Sequence, residues 1–182
     1  MRMPQTAFIF SALFSFLIGK TLIAQDSNAV KLTRKISIIF PLTPVKQEMG
    51  SAATMYTLRL ADSTANFMGL VSNLQVQAGL DSATLAEAVK QPEFWDQASE
   101  GFVGQMGPDA KLIKKEMKKL GTYDVMELTL ERPAAEGGGN NTLTIYIIID
   151  DVYSINIGHT NRKGKADVKM KETFLQSLKI EQ

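Results

Sequence analysis

Cysteine is absent from this 182-residue chain, and histidine occurs once, at His159. The lack of cysteine excludes disulfides, thiol catalysis and a lipid-modified cysteine behind the N-terminal apolar run. One histidine and no cysteine leave only carboxylates for the rest of a zinc shell, which does not match an ordinary zinc site. An EF-hand run of acidic residues is also missing. The sequence therefore predicts no metal and no cofactor.

Catalytic motifs are missing as well. There is no Gly-x-Ser-x-Gly nucleophile elbow. The cations Arg162, Lys163 and Lys165 near His159 disfavour the imidazolium that a general base must become. We therefore predict that His159 is a surface loop histidine, that the chain has no catalytic residue, and that it is not an enzyme. A hydrolase that uses paired carboxylates alone is the alternative, because the sequence does not show which acids meet in space.

Neither sign of charge is in excess, with 20 Lys and Arg against 19 Asp and Glu. Nucleic-acid binders normally show a basic face, so we expect no nucleic-acid partner. The densest basic run is the lysines at positions 111, 114, 115, 118 and 119. We interpret it as the solvated face of a strand or helix, with contact to an anionic partner, such as a membrane surface or an acidic glycan, as the alternative.

The one long apolar run lies at the N-terminus. Arg2 precedes the uncharged residues 7–18 (AFIFSALFSFLI), and Lys20 follows them. This length fits the roughly 7–15 apolar residues of a secretory leader. It is shorter than the about 20 residues of a membrane span. We expect residues 1–25 to be a signal peptide cleaved beside Ala24 or Gln25, with an uncleaved signal anchor as the alternative.

Removal of that leader takes away two basic residues and no acid, which leaves 18 basic and 19 acidic side chains. The remaining length is that of one domain. We assign residues 26–34 to a flexible lead-in and 35–182 to a single domain. The protein would then be periplasmic or secreted, with no stable membrane anchor after cleavage.

Apolar alternation and turn residues predict the elements of that domain. Strands are predicted at 35–40, 52–61, 65–77, 125–131, 142–149 and 152–157, a loop at 42–50 and a turn at Asp150-Asp151. A helix is expected to begin at Asp81 or Ser82 and to restart at Pro92, and a second helix covers 168–176. Trp95, Phe94 and Phe102 are predicted to be core residues, with a small-molecule pocket as the alternative.

Residues 111–120 (KLIKKEMKKL) can be interpreted in two ways. Leu112, Ile113, Met117 and Leu120 form an apolar stripe at helical spacing with the lysines opposite. The spacing alone therefore predicts a helix.

Four stretches of the chain carry a resemblance that favours a strand there. They are Ile38-Ile39-Phe40-Pro41 with Pro44, Tyr56 in the next strand, Leu120-Gly121-Thr122-Tyr123 leading to Glu127, and the tail Phe174–Ile180. In this order they resemble the PsbP-like fold, the α/β/α sandwich of the extrinsic photosystem II subunit and of small secreted bacterial proteins. The resemblance implies an α+β domain with an antiparallel sheet of about six to seven strands and helices packed on it. It transfers no catalytic residue and implies a binding or assembly role.

We therefore predict an exported, non-catalytic protein that binds a protein partner in the cell envelope or assists an assembly. The segments 132–141 and 158–166 are the candidate contact surfaces, at one end of the sheet. The alternative is a carrier of a small apolar ligand, held between the helix that contains Trp95 and the sheet.

Overall fold

The computed structural model describes residues 23–24, 28–61, 65–134, 139–161 and 168–181. The predicted signal peptide and its cleavage region lie outside these ranges, except for the backbone of Ile23 and Ala24. Export and cleavage therefore stay predictions. No helix among the described residues has the length and hydropathy that a membrane crossing requires.

The described ranges contain eleven strands and four helices. The strands are β1 Ile23–Ala24, β2 Ala29–Lys31, β3 Ile36–Ile39, β4 Val45–Met49, β5 Ala53–Arg59, β6 Ala65–Asn73, β7 Lys111–Leu120, β8 Tyr123–Pro133, β9 Asn140–Asp150, β10 Tyr153–Asn161 and β11 Lys179–Ile180. The helices are α1 Leu74–Ala78, α2 Ser82–Ala88, α3 Pro92–Gln105 and α4 Val168–Gln176.

The main sheet has the strand order β1-β4-β5-β6-β10-β9-β8-β7, and a small sheet has the order β11-β3-β2. Every strand pair in both sheets is antiparallel. Helix α3 packs on one face of the main sheet, while the small sheet and α4 pack on the other. The α+β class and the antiparallel sheet are confirmed.

Strand alternation divides the core into two layers, because successive side chains point to opposite faces of a sheet. The core under the small sheet and α4 is centred on the rings of Phe40, Phe67 and Phe174. The core under α3 is built from the alternate residues of β8 and β9 together with the apolar stripe of α3. The described core residues of the two layers lie on opposite faces of the main sheet, whose central strands are buried on both sides.

The helices on the α3 side begin where the sequence predicts. Asp81 caps α2, and its Oδ1 accepts a hydrogen bond from the Thr84 N–H at 2.8 Å. Pro92 is the first residue of α3, a position where its missing N–H costs no helical hydrogen bond. The apolar spacing of Trp95, Ala98 and Phe102 then places these side chains against the sheet.

Three segments differ from their predicted form. The lead-in 26–34 contains β2, which pairs with β3 and buries the Val30 side chain in the core. The loop 42–50 contains β4, whose polar residues pair with β5. The strand predicted over 65–77 ends at Asn73, which caps the short helix α1 by accepting a hydrogen bond from the Val76 N–H.

Residues 111–120 form the edge strand β7, as the resemblance implied and the periodicity did not. The pairing with β8 shifts by one residue between Leu112 and Lys114, so Ile113 is the extra residue of a β-bulge. The extra residue breaks the alternation of side chains between the two faces of the strand. The apolar residues therefore recur three or four positions apart, which resembles the spacing on one face of a helix. Lysines and a bulge are common features of sheet edges, where they disfavour pairing with another chain.

Candidate functional site

A cavity of about 230 Å³ lies between the C-terminal half of α3 and the main sheet. Phe102, Gln105 and Met106 cover it from the helix side. The remaining wall residues come mainly from four adjacent strands and include polar and apolar residues in about equal number, although most of the exposed wall surface is apolar. These wall residues are Asn66, Met68 and Leu70 of β6, Asn156, Gly158 and Thr160 of β10, Asn141 and Leu143 of β9, and Leu130, Glu131 and Arg132 of β8, with Ala110 at the end of the α3–β7 connection.

The floor follows from the register of the two central strands. Gly158 lies opposite Met68, and Asn156 lies opposite Leu70, so these side chains share the α3 face. Gly158 leaves space where other residues would have a side chain. A Cβ built there would lie 3.4 Å from Met68 Cε and 3.6 Å from Leu143 Cδ1. The glycine thus contributes to the room under α3.

Three buried polar atoms lie in the walls of this cavity. Asn66 Oδ1, Asn156 Oδ1 and Gln105 Nε2 have no hydrogen-bond partner among the residues that the structure describes. The Asn156 residue is only 3% exposed. Buried polar groups are normally hydrogen-bonded, and an unpartnered one costs about 1–3 kcal/mol. These three atoms have almost no accessible surface, so they are closed off from the open space of the cavity although their residues line it.

A second, more polar depression adjoins the cavity. It shares five lining residues with it, Asn66, Met106, Arg132, Asn141 and Thr160. Arg59, Arg132 and Asp109 contribute charges of both signs there. Asn156 and Gly158 line only the inner cavity. The site therefore has an apolar interior with Asn156 inside and a charged, polar mouth.

The predicted aromatic cluster is divided between core and cavity. Trp95 is a buried core residue, and its Nε1 donates a hydrogen bond to the Val89 carbonyl at 2.9 Å. Phe94 packs edge-on against it, with 5.3 Å between the ring centroids. Phe102, two turns further along α3, lines the cavity. The core prediction is confirmed for Trp95 and Phe102, and Phe102 also lines the cavity at the other end of the helix.

The prediction for His159 is wrong. It lies within β10 and is 1% exposed. Its ring is 5.0 Å from that of Phe67 on the sheet face opposite α3. β10 continues past the apolar residues to Asn161 because both its neighbours, β6 and β9, pair with it along this length. The histidine therefore belongs to the core layer, away from the cavity.

The lysine run is an exposed strand edge, and four of its five lysines are paired with acids. Lys115 contacts Asp96 and lies 3.1 Å from Ser99 Oγ, which joins β7 to α3. Lys119 Nζ lies 2.6 Å from Asp124 Oδ1. The solvated-face interpretation is confirmed, and this pairing offsets much of the positive charge that an anionic partner would meet.

Two carboxylates do face each other, at Glu116 and Glu127 of the β7–β8 pair. Lys114 lies 2.7 Å from Glu116 and 3.4 Å from Glu127, and Lys118 pairs with both. Burial raises the pKa of Glu127, but the Lys118 hydrogen bond and the lysine charges outweigh it and hold the pKa below its usual value. A general acid needs a raised pKa. This arrangement is an ion-pair network, which does not favour a carboxylate hydrolase.

The described residues contain no group of three or more His, Asp and Glu side chains that could hold a metal ion. The acidic turn residues instead have a structural contact. Asp150 accepts hydrogen bonds from the Tyr123 hydroxyl at 2.8 Å and from Thr33 Oγ1 at 2.6 Å. Asp151 has the positive φ of 55° that a tight hairpin turn requires.

The two predicted contact segments lie largely within strands where they are described. Residues 132–133 end β8, 140–141 begin β9, and 158–161 end β10. Arg132, Asn141 and Thr160 from these ends line the mouth of the cavity. Residues 135–138 and 162–166 of the segments lie outside the described residues. The structure thus brings parts of both segments to one end of the sheet, beside the cavity.

Sequence reasoning did not single out Met68, Leu70 or Asn156 as cavity residues. The signal was present in β10, where Ser154, Asn156, Gly158 and Thr160 occupy every second position beside apolar neighbours. In a central strand, polar residues and glycine at core positions indicate a close approach of another group or a binding site, because apolar side chains would pack better there.

No protein-family model and no curated protein matches this chain. Among solved structures it is similar to the cyanobacterial PsbP of Synechocystis, with 10% identity and a TM-score of 0.46 over 80% of this chain and 86% of that one. It is also similar to a Bacteroides thetaiotaomicron protein, with 16% identity and a TM-score of 0.44 over 87% of this chain. The chain spans about half (50%) of that Bacteroides protein. A Pseudomonas aeruginosa protein of unknown function, called a putative regulator, has 14% identity and a TM-score of 0.41 over 66% of this chain and 75% of that one. At these values the PsbP-like family assignment stays a prediction.

Proposed function

We propose that this protein is a non-catalytic binding module whose ligand is a small, mainly apolar molecule held between α3 and the main sheet. The observation that carries the proposal is the cavity of about 230 Å³ with its apolar walls. Apolar cavities of about 150 Å³ accommodate benzene, so this one has room for a ring with substituents or a short acyl chain. Ligand sites are typically apolar clefts with a few convergent polar groups, which is the arrangement here.

Toluene titration tests this proposal, with methionine methyl groups as reporters. Met68 and Met106 line the cavity, whereas Met170 packs in the opposite layer. In protein labelled with ¹³C at the methionine methyls, we expect saturable shifts of Met68 and Met106 and a constant signal for Met170. Absence of any saturable shift up to the solubility limit of toluene, or equal shifts of all three methyls, would refute the proposal.

Two glycines provide a matched pair of variants. Gly158→Ala adds a methyl group to the cavity floor, within ordinary contact distances of its neighbours. Gly69→Ala adds the same group on the opposite face of the adjacent strand, 3.3 Å from Leu32 Cδ2. We expect Gly158→Ala to weaken toluene binding and Gly69→Ala to leave it unchanged, although the latter lowers stability. If Gly69→Ala weakened toluene binding and Gly158→Ala did not, the ligand would lie on the face opposite α3, which would contradict the proposal.

A protein partner in the cell envelope is the second candidate, favoured by the position of the two predicted contact segments. Arg132 and Thr160, one from each segment, lie together at the cavity mouth. A photo-crosslinking residue at Arg132 in the tagged, full-length protein tests this in cells. One dominant product that untagged protein competes away would support a partner at this end. The same product from a crosslinker at Glu87, on exposed α2, would contradict it.

A further inference from the structure

Two side-chain amides in the walls of the cavity turn the same end toward its open space. Asn156 Oδ1 and Asn66 Oδ1 have almost no accessible surface, although both residues line the cavity. The other polar group of such an amide is the NH2 donor at Nδ2. This donor is therefore the end that each asparagine presents to a ligand. Among the described residues, none accepts a hydrogen bond from the Asn156 donor.

Asn156 lies at the inner end of the cavity, among apolar neighbours. The strand register places Leu70 of β6 on one side of it and Ile147 of β9 on the other, both on the α3 face. Asn156 does not line the depression at the mouth, whereas Asn66 does. Asn66 lies opposite Thr160, four residues further along β10, so the two amides are roughly 13 Å apart along the strand direction. A small ligand therefore meets one of these donors and not both.

The charged residues of the described walls are remote from this inner donor. Glu131 and Arg132 belong to the end of β8. Met126, which the register places in the same row as Asn156 through Ile147, precedes them by five and six residues, roughly 16–20 Å of strand. A carboxylate beside Asn156 would lose its hydration without a cation among the described wall residues to compensate, whereas a neutral acceptor is satisfied by one hydrogen bond.

We propose that the ligand carries a neutral hydrogen-bond acceptor, such as the carbonyl of a ketone, aldehyde or ester, at its inner end, where Asn156 Nδ2 donates to it. This inference rests on the proposed function and adds the chemical class of the ligand. The apolar walls favour burial of the ring or chain that bears the carbonyl. Gln105, on the helix side, has its Nε2 closed off and offers an acceptor instead, so the inner donor comes from the sheet.

Acetophenone and α-methylstyrene test the acceptor, because they have nearly the same shape and differ in a C=O group that replaces C=CH2. Dissociation constants come from the methyl shifts of Met68 and Met106, which line the cavity. Water also hydrates the ketone, so the informative quantity is the change in the ratio of the two constants when the donor is removed. In Asn156→Leu we expect acetophenone binding to weaken roughly fivefold or more relative to α-methylstyrene, through loss of the hydrogen bond from the amide.

Two further variants complete the test. Asn66→Leu is the matched control at the mouth and should leave the ratio unchanged. Asn156→Ala removes the same amide without adding volume and should change the ratio as Asn156→Leu does, which covers the case of a leucine variant that fails to fold. Acetophenone labelled with ¹³C at the carbonyl gives a direct signature, because this resonance should lie further downfield in the wild-type complex than in the Asn156→Ala complex.

The outcomes separate the inference from the proposed function. If both probes bind and neither Asn156 variant changes the ratio, or if Asn66→Leu changes it as much, the inference is overturned while the proposed function stands. If neither probe binds the wild-type protein, the proposed function fails as well.

Discussion

Phe174 connects the C-terminal helix to the rest of the fold, and its replacement gives a quantitative test of the layer opposite α3. Its ring is 1% exposed and packs at an angle against two other rings, with centroid distances of 5.2 Å to Phe40 and 5.0 Å to Phe67. These rings belong to α4, to the residue that directly follows β3 and to β6, so one side chain joins the helix, the end of the small sheet and the main sheet. Loss of the ring therefore weakens three elements together.

The magnitude follows from the size of the group and its two ring pairs. A buried Phe→Ala change costs about 3–5 kcal/mol. Each aromatic pair contributes about 0.5–1.5 kcal/mol beyond area burial, so Phe174→Leu, which keeps most of the volume, should cost about 1–3 kcal/mol. Domains of this size are stable by about 5–15 kcal/mol. We therefore expect Phe174→Ala to remain folded at 25 °C with a large part of its stability lost.

Urea unfolding measures this loss, with the fluorescence of Trp95 and far-UV circular dichroism as probes. Trp95 lies in the other core layer, so coincident transitions would show that both layers unfold together. Val168→Ala is the control on the same helix, because Val168 is 51% exposed and should change stability by less than about 0.5 kcal/mol. A cost below about 1 kcal/mol for Phe174→Ala, or an equal cost for Phe174→Leu, would refute the reasoning.

Three further predictions concern the sheet. Lys118→Met removes the main hydrogen bond that lowers the pKa of Glu127, so this pKa should rise in a carboxyl NMR titration. Because the folded-state pKa lies below the unfolded value, Glu127 stabilises the fold above the unfolded pKa, and this contribution is lost as the pH falls through the folded pKa. In the variant that loss should begin at a higher pH, and an unchanged pKa would contradict the network. Burial and the hydrogen bond to Asp150 raise the pKa of Tyr123 to about 12. Asp150→Asn should move it back toward 10 in a tyrosine NMR titration, and a value that stays near 12 would assign the whole shift to burial. Deletion of Ile113 removes the bulge and leaves the rest of the β7–β8 register intact. Sedimentation should then show more self-association at nearly unchanged stability, unless the lysines alone protect the edge.

Much of the architecture could be predicted from local patterns. Asp81 and Pro92 set the helix starts, and Val168–Gln176 is helical over its predicted length. Such features are local, because caps and apolar spacing act within one turn. The strand β4 was missed because its own residues are mostly polar and show no strand pattern. It is a strand because its backbone pairs with β5, which the local sequence does not show.

The candidate site could not be predicted in the same way. Asn156 lies in the predicted strand 152–157, whereas Gly158 and His159 begin a polar stretch that is typical of a loop when taken alone. Its burial comes from β6 and β9 on either side and from α3 above Asn156 and Gly158. Which of these residues faces the cavity depends on the strand register, a property of three strands together. The sequence shows that these residues are polar, but only the tertiary structure shows which of them point toward α3 and which toward the opposite layer.

A crystal structure of the protein grown with indole near its solubility limit tests the central claim most directly. We expect electron density for one indole between α3 and the sheet, in contact with Phe102 and Met106. Ordered waters filling the space, or Phe102 and Met106 closed onto Gly158 with no ligand density, would contradict the claim that this cavity is a ligand site.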